Sequence, residues 1–371
     1  MLIMSNSSRI ALFIYSLDGG GAERVMANLA ISFAQQGLKV DLVLVKVQGP
    51  YLSLIPPEVR IVDLKASGTP ASLPHLVRYL RREKPAALLS AMHYGNEVAL
   101  LAKILSGVST RLVVSEHNAL SKYARHTSRK IERWTPLWAK LFYPWADGIV
   151  AVSHGVAQDL VQVTGLSPER VRVIYNPVVT PELSKMAKEP VDHPWFAPQA
   201  PPVILGVGRL VEQKDFPTLI RAFAQVRQVR PARLMILGKN AGCLPALEAL
   251  VSELGLEGDV ALPGFVNNPY AYLARSAVFT LSSRQEGFGN AIAEALAVGT
   301  PVVSTNCESG PAEILDNGKY GELVPVGDSK ALAQGILSVL SGKSKSVESA
   351  WLDQFKLPAV TQNYLDVLGV A

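Results

Sequence analysis

Two carboxylates, Glu286 and Glu294, bracket a glycine turn in the stretch RQEGFGNAIAEALAVGTPVVST. Gly287 and Gly289 free the backbone around Phe288, and Asn290 is placed to cap the helix AIAEALAVG. A helix N-terminus offers backbone N–H groups and positive potential, so this turn can receive a phosphate or sugar hydroxyls. Glu286 precedes the helix and Glu294 lies a little over one turn inside it, so the two need not face the same way. Each can then accept from the hydroxyls of a different ring. The plainer reading makes Glu286 a turn acid favoured by the helix dipole and Glu294 an ordinary helix-surface acid.

Three other groups have chemistry to offer. Arg209 and Lys214 in GRLVEQKDF follow the apolar run PVILGV and precede the amphipathic PTLIRAFAQV. A guanidinium can grip phosphate oxygens bidentately and an ammonium adds a point charge, which together suit a diphosphate. Taken as a pair alone they read more simply as two solvated surface cations. His117 in SEHN follows the run RLVV; a lone histidine is more often a satisfied structural one, but a strand terminus is where site residues gather. Gly19, Gly20 and Gly21 in GGGAER sit between IALFIYSL and a helical pattern, where glycines let backbone N–H groups approach an anion or merely make a tight turn. The dinucleotide fingerprint fails here: its third glycine position is Arg24, and Asp41 begins the next strand instead of ending it.

The elements that must position these residues alternate. Seven apolar runs (IALFIYS, VDLVLVKV, VRIVDL, AALLSA, RLVVSEH, GIVAVS, VRVIYN) are separated by helical patterns such as GAERVMANLAISFAQQG. Six more (PVILGVGRL, RLMILGK, VALPGFV, VFTLSS, PVVSTN, GELVPVG) repeat the theme. Such alternation predicts α/β architecture: two doubly wound, Rossmann-like domains with parallel sheets covered on both faces. The boundaries expected are a first domain over 1–176, a proline-rich linker over 177–201, a second domain over 202–350 and a terminal helix over 351–371. Two such domains leave a cleft, and the candidate residues fall just after strands, where ligands bind in these sheets.

Composition narrows the classes. A chain of 371 residues exceeds one ordinary core. Cys243 and Cys307 lie far apart without CxxC or clustered histidines, which argues against a disulfide framework or zinc site and suits a reducing compartment. Residues 1–18 read as a buried strand, not a signal peptide, and no long uncharged apolar stretch predicts a spanning helix. Residues 1–178 carry 20 Lys+Arg and 12 Asp+Glu, a net of +8, against 16 and 19, a net of −3, in the remainder. The first half is thus expected to meet an anionic partner, or simply to be a solvated basic surface.

Together, in order and over nearly the whole chain, these motifs resemble glycosyltransferase family 4, retaining enzymes of the GT-B fold whose two domains face each other across a cleft. The resemblance rests on Gly19-Gly20-Gly21, His117, Arg209 with Lys214, and the E-x7-E pair Glu286 and Glu294. It implies that Arg209 and Lys214 hold the donor diphosphate and that Glu294 binds the ribose. It implies that Glu286 contacts the transferred sugar, with the N–H groups of Phe288, Gly289 and Asn290 nearby, and that His117 lies beside that sugar. Phe265 and Val266 would lie against the nucleobase, and the glycine loop on the acceptor side near the phosphates. No metal and no cofactor beyond a UDP-linked donor is implied, because two cations can replace a metal's charge. Retention would proceed on one face of the donor, the departing phosphate taking the acceptor's proton. A glycosidase pair of carboxylates leaves the basic pair without a role.

The form GGGAER, with ESGPAEILDNGKYGELVPVGD downstream, is similar to members that extend lipid-linked oligosaccharides and O-antigen or capsule units. The stretch SKYARHTSRKIERWTPLWAKLFYPW carries six Lys/Arg against one Glu, interleaved with Trp134, Trp138, Phe142, Tyr143 and Trp145. That composition fits an anionic membrane surface, or a solvated basic face whose tryptophans pack inward. A second basic stretch, VRYLRREK, is in place to reach an acceptor pyrophosphate. The expectation is a cytoplasmic enzyme held peripherally at the inner membrane face, moving a hexose or N-acetylhexosamine to a polyprenyl-diphosphate-linked saccharide. Nucleic acid is not expected, since no known binding module is visible. A sugar-nucleotide epimerase of the same fold would consume donor without acceptor. A binding-only scaffold would have no need of the full set of motifs.

Overall fold

Each of the thirteen apolar runs forms a parallel strand in the computed structural model, which describes residues 9–127 and 130–370. The strands divide between two units. Residues through Pro177, together with those from Gln354 onward, make the first, and Val178–Asp353 make the second.

The first unit holds β1 (Arg9–Ile14), β2 (Lys39–Leu44), β3 (Val59–Asp63), β4 (Ala87–Ala91), β5 (Arg111–Glu116), β6 (Gly148–Ala151) and β7 (Val171–Val173). Their order in the sheet is β3-β2-β1-β4-β5-β6-β7. Helices cover both faces, so β1, β2, β4 and β5 are buried along almost their entire length, which is why they read as continuous apolar runs. The C-terminal helix Leu357–Leu368 belongs to this unit and sets Tyr364, Leu365 and Leu368 into the same core as Leu12, Phe33 and Val113. Arg111 Nε donates to the Val367 carbonyl at 2.8 Å, and Thr361 Oγ1 to Ser32 Oγ at 2.8 Å.

The second unit holds β8 (Val203–Val207), β9 (Arg233–Leu237), β10 (Val260–Gly264), β11 (Val278–Leu281), β12 (Val302–Thr305) and β13 (Glu322–Val324), in the order β10-β9-β8-β11-β12-β13. The stretch 177–201 contains a helix, Pro181–Met186, capped by the Thr180 hydroxyl, and a single 3-10 turn, Pro194–Phe196. Six residues are too few to print a helical period on a sequence.

Both sheets reverse strand order once, between β1 and β4 and between β8 and β11. Doubly wound sheets bind ligands at these switch points, outside the carboxyl ends of the strands. The loop after β8 carries Arg209 and Lys214, the loop after β11 carries Glu286, and the loop after β1 carries Gly19 to Gly21.

Asp41 is buried within β2, where Arg9, Arg60 and Tyr79 all donate to its carboxylate, so it is a structural acid. Burial alone would raise its pKa. The hydrogen bonds from Arg60, Tyr79 and Arg9 more than offset that and hold it low.

The basic-aromatic stretch sorts its side chains. Thr135, Ala139, Phe142 and Tyr143 are buried. Trp134, Leu137, Trp138, Leu141 and Trp145 are 41–59 % exposed and follow helical spacing along Thr135–Phe142 and its flanks. The three tryptophans therefore do not pack inward. Ser128 and Arg129 of this stretch lie outside the described residues.

Candidate functional site

In the second unit the two switch-point loops are stitched together. Ser282 Oγ donates to the Lys214 carbonyl at 2.8 Å, the Arg284 N–H to the Gln213 carbonyl at 2.9 Å, and Gln213 Nε2 to the Gln285 carbonyl at 2.8 Å. These bonds bring Lys214 Nζ to 2.5 Å from Glu286 Oε1. Ser283 Oγ donates to the same oxygen at 2.6 Å, and the Ser283 carbonyl is itself held by Thr305 Oγ1 at 2.7 Å. The Glu286 side chain is only 8 % exposed and that of Lys214 20 %, so the pair sits where charge is poorly screened. Arg209, on the same loop as Lys214, is exposed, and its side chain forms no ion pair or hydrogen bond among the described residues. A cation held by a carboxylate and a second one left free in the same turn can together receive a diphosphate.

The glycine turn after β11 lies against another turn. Gly310 has φ 108°, and a Cβ there would stand 1.8 Å from the Phe288 carbonyl oxygen. The turn before Pro311 thus supports the backbone of Phe288, which is itself buried. The helix runs over Asn290–Ala297 with Gly289 at its N-cap. Asn290 is therefore not the cap expected of it: the left-handed Gly289 ends the turn one residue earlier and places Asn290 in the first helical turn. Glu294, half-buried, has Oε1 3.4 Å from Tyr270 Oη. The two glutamates thus keep different company, Glu286 with Lys214 and Ser283, Glu294 with Tyr270. Phe265 is 43 % exposed just past β10, and Val266 beside it is half-buried.

In the first unit Gly20 is the N-cap of the helix Gly21–Gln35. Glu23, at the third helical position, folds back so closely that a Cβ on Gly20 would meet its Oε2 at 2.1 Å. The helix start thus has a carboxylate of the chain itself beside it, where the helix dipole favours negative charge. Gly19 has φ 96°, and its carbonyl accepts from Tyr51 Oη at 3.3 Å.

His117 follows β5 and is 8 % exposed; its Nε2 lies 3.1 Å from Ser115 Oγ. Burial pushes the imidazole down to about 4, so it is neutral at pH 7. The turn after β4 was not singled out from the sequence. Met92 holds φ 72° and ψ 136°, a conformation costing a non-glycine residue about 1–3 kcal/mol. His93 next to it is fully buried, and neither ring nitrogen has a hydrogen-bond partner among the described residues. Burial lowers its pKa to about 3. Strain beside an unsatisfied buried histidine, at the switch point of the first sheet, makes this turn a candidate functional turn of the first unit. In the sequence it lay hidden inside AALLSAMHYGNEVALLAKIL, where His93 reads only as a break in an apolar run.

Behind these turns Glu116 is fully buried, accepting from Tyr143 Oη at 2.7 Å and from the His117 N–H at 3.1 Å. Burial pushes its pKa up to about 7. Burial, and then the charge of Glu116, pushes Glu97 up to about 8. An acid whose folded pKa is raised stabilises the fold below its unfolded pKa, and that contribution is lost as pH rises through the folded value. Stability should therefore fall between about pH 4.5 and pH 8. Glu97→Gln is expected to raise the melting temperature at pH 8, by roughly 2 kcal/mol of stability, with the gain shrinking toward pH 5. Thermal melts of both proteins across this range measure it; a variant less stable at pH 8 contradicts the assignment.

The arrangement has known counterparts. The family model described as Glycosyltransferase Family 4 matches residues 19–181, and that described as Glycosyl transferases group 1 matches residues 201–342. A relative from Campylobacter jejuni, N-acetylgalactosamine-N,N'-diacetylbacillosaminyl-diphospho-undecaprenol 4-alpha-N-acetylgalactosaminyltransferase, is 32 % identical over 90 % of either chain. The lipopolysaccharide core biosynthesis glycosyltransferase LpsE of Rhizobium meliloti is 28 % identical over 97 % of this chain and 99 % of its own. Among solved structures, Anabaena HepE in complex with UDP and glucose superposes with a TM-score of 0.80 at 22 % identity, over 98 % of this chain and all of that one, a likeness of fold. The chain belongs to glycosyltransferase family 4 and has the GT-B fold.

Proposed function

We propose that this glycosyltransferase moves a hexose or N-acetylhexosamine, with retention, from a UDP-sugar to a polyprenyl-diphosphate-linked saccharide during assembly of a cell-surface glycan. The observation that carries the reading is the Lys214–Glu286 pair, fixed at the β8/β11 switch point beside a free Arg209. In this reading Lys214 and Arg209 take the donor diphosphate, Glu294 the ribose hydroxyls, and Glu286 and His117 the transferred sugar. Phe288, Gly289 and Asn290 offer backbone N–H groups, and Phe265 and Val266 flank the base. The Gly19 to Gly21 loop serves the acceptor. The UDP of the HepE complex and the diphospho-undecaprenol named for the Campylobacter relative support the choice of donor and acceptor.

The bond from the anomeric carbon to the β-phosphate oxygen breaks as the acceptor hydroxyl attacks from the same face. The hydroxyl's proton passes to the departing phosphate. Arg209 and Lys214 stabilise the charge that grows on that phosphate, so no metal and no further cofactor is needed. The deciding experiment is a transfer assay with UDP-hexoses and UDP-N-acetylhexosamines against a lipid-diphosphate saccharide. A radiolabelled, lipid-extractable product whose new linkage has the donor's anomeric configuration is expected. Donor consumption without acceptor, or an inverted linkage, would overturn the reading.

The exposed Trp134, Leu137, Trp138, Leu141 and Trp145 stripe, with Arg133 and Lys140 beside it, supports peripheral docking on an anionic membrane at the inner face of the cell membrane. No described helix is long and apolar enough to cross a membrane. Arg78, Arg81 and Arg82 line a groove with Leu73, Val77 and Leu105 that reaches toward the amino edge of the first sheet, where Arg81 donates to the Leu105 and Ser106 carbonyls, so this basic stretch is a surface of the first unit and not a diphosphate site at the strand carboxyl ends. Trp134→Ser combined with Trp138→Ser is expected to lower binding to anionic vesicles by at least about tenfold, leaving transfer to a short-chain, water-soluble acceptor intact. Co-sedimentation measures this, and unchanged vesicle binding contradicts it.

A further inference from the structure

Tyr364, from the C-terminal helix, and Ser115, from β5, are both fully buried. Tyr364 Oη lies 3.2 Å from Ser115 Oγ, and Ser115 Oγ lies 3.1 Å from His117 Nε2. A phenylalanine would fill the same space in the core, so the phenol hydroxyl needs its own explanation. Its one hydrogen-bond partner among the described residues is Ser115 Oγ. The direction of the chain then follows from counting protons.

Burial pushes the Tyr364 phenol up to about 12, so it keeps its proton at neutral pH. A buried O–H has to donate, and the acceptor present is Ser115 Oγ. Having accepted, the serine hydroxyl turns its single proton toward His117 Nε2. That nitrogen is therefore the acceptor of a neutral ring, and the ring's proton sits on Nδ1. The opposite order, Nε2–H to serine to the tyrosine oxygen, strands the phenol proton in the core, and two donors onto Ser115 Oγ strand the serine proton, since no other acceptor among the described residues lies within reach of it; each is disfavoured by roughly tenfold or more. Nδ1 itself has no partner among the described residues.

We infer that Tyr364 and Ser115 are positioning residues that fix the tautomer of His117, so that the imidazole offers Nδ1–H as a hydrogen-bond donor. His117 then acts by donating to an oxygen of the transferred sugar or its phosphate, and it does not take the acceptor's proton. The C-terminal helix thereby reaches the active centre through a hydrogen bond spanning 249 positions of sequence. The functional half of this inference rests on the proposed role of His117; the tautomer does not.

The test uses the full chain labelled with 15N-histidine. Long-range proton–nitrogen correlation spectra distinguish a protonated from an unprotonated ring nitrogen, and His117→Asn identifies the signal among the six histidines. An Nδ1–H ring is expected in the ligand-free protein, and an Nε2–H ring overturns the inference. Tyr364→Phe and Ser115→Ala should each move the ring toward Nε2–H and lower kcat about tenfold, with UDP affinity by calorimetry unchanged. A tautomer that stays on Nδ1 in both variants overturns it, as does a shifted tautomer with wild-type kcat. If the protein transfers no sugar at all, the proposed function fails while the spectra still decide the tautomer, so the two failures are told apart.

Discussion

Lys214→Ala is expected to lower kcat/KM by on the order of 100- to 1000-fold and to destabilise the second unit at the same time. On the proposed function, removing the ammonium takes away a charge that would meet the departing diphosphate. It also leaves Glu286, 8 % exposed at its side chain, with Ser283 as its one remaining side-chain hydrogen-bond partner among the described residues. Breaking a buried ion pair from one side strands the other charge, at a cost of about 3–5 kcal/mol when burial is complete. With Lys214 20 % exposed, about 2 kcal/mol is the scale here, or roughly 4–8 °C in melting temperature. Arg209→Ala should behave differently. Its side chain is exposed and unpartnered, so the fold loses nothing measurable, while activity falls on a similar scale. Thermal melts run beside the transfer assay separate the two cations. Equal melting temperatures for both variants would mean that the Lys214–Glu286 pair carries no stability.

Gly310→Ala carries the second large effect, through the backbone and not through a charge. A side chain at φ 108° costs about 1–3 kcal/mol by itself. The new Cβ also has to displace the Phe288 carbonyl, 1.8 Å away, which belongs to backbone and cannot swing aside. Overpacking of that kind adds about 1–3 kcal/mol. The displaced residue lies between Glu286 and the helix start at Asn290, so nucleotide affinity should fall at least about tenfold along with stability. Gly299→Ala is the control. Its φ is 80°, but nothing lies within 4 Å of the added Cβ, so only the conformational cost of about 1 kcal/mol applies. Melting curves and nucleotide titrations of the two variants compare them; if Gly310→Ala is no worse than Gly299→Ala, the turn does not support Phe288.

The inner strands, such as β1, β2, β4 and β5, were legible because flanking helices bury both of their faces, which leaves an unbroken apolar run in the sequence, whereas the edge strand β3 is largely exposed and shows a weaker one. Arg209, Lys214, Glu286 and His117 were legible because each follows such a run. Their supports were not. Ser283 holds Glu286 from three residues away, yet its own carbonyl is fixed by Thr305, and Ser282 reaches across 68 positions to Lys214. Gly310 meets Phe288, and Tyr364 meets Ser115, only once the sheets have formed. Local periodicity carries no record of such pairings. Asn290 was misjudged as a cap because a left-handed glycine before it can end the turn just as well. His93 and Met92 stayed hidden because strain and an unsatisfied ring are properties of backbone and burial, not of residue type.

On the proposed function, the β8/β11 switch point binds the diphosphate of a uridine nucleotide through Lys214. Calorimetric titration of the purified protein with UDP, GDP and ADP, repeated on Lys214→Ala, tests it most directly. UDP should bind in preference to the other two, and this binding should be lost in the variant. UDP binding that survives Lys214→Ala unchanged, or no nucleotide binding by the folded protein, would contradict it.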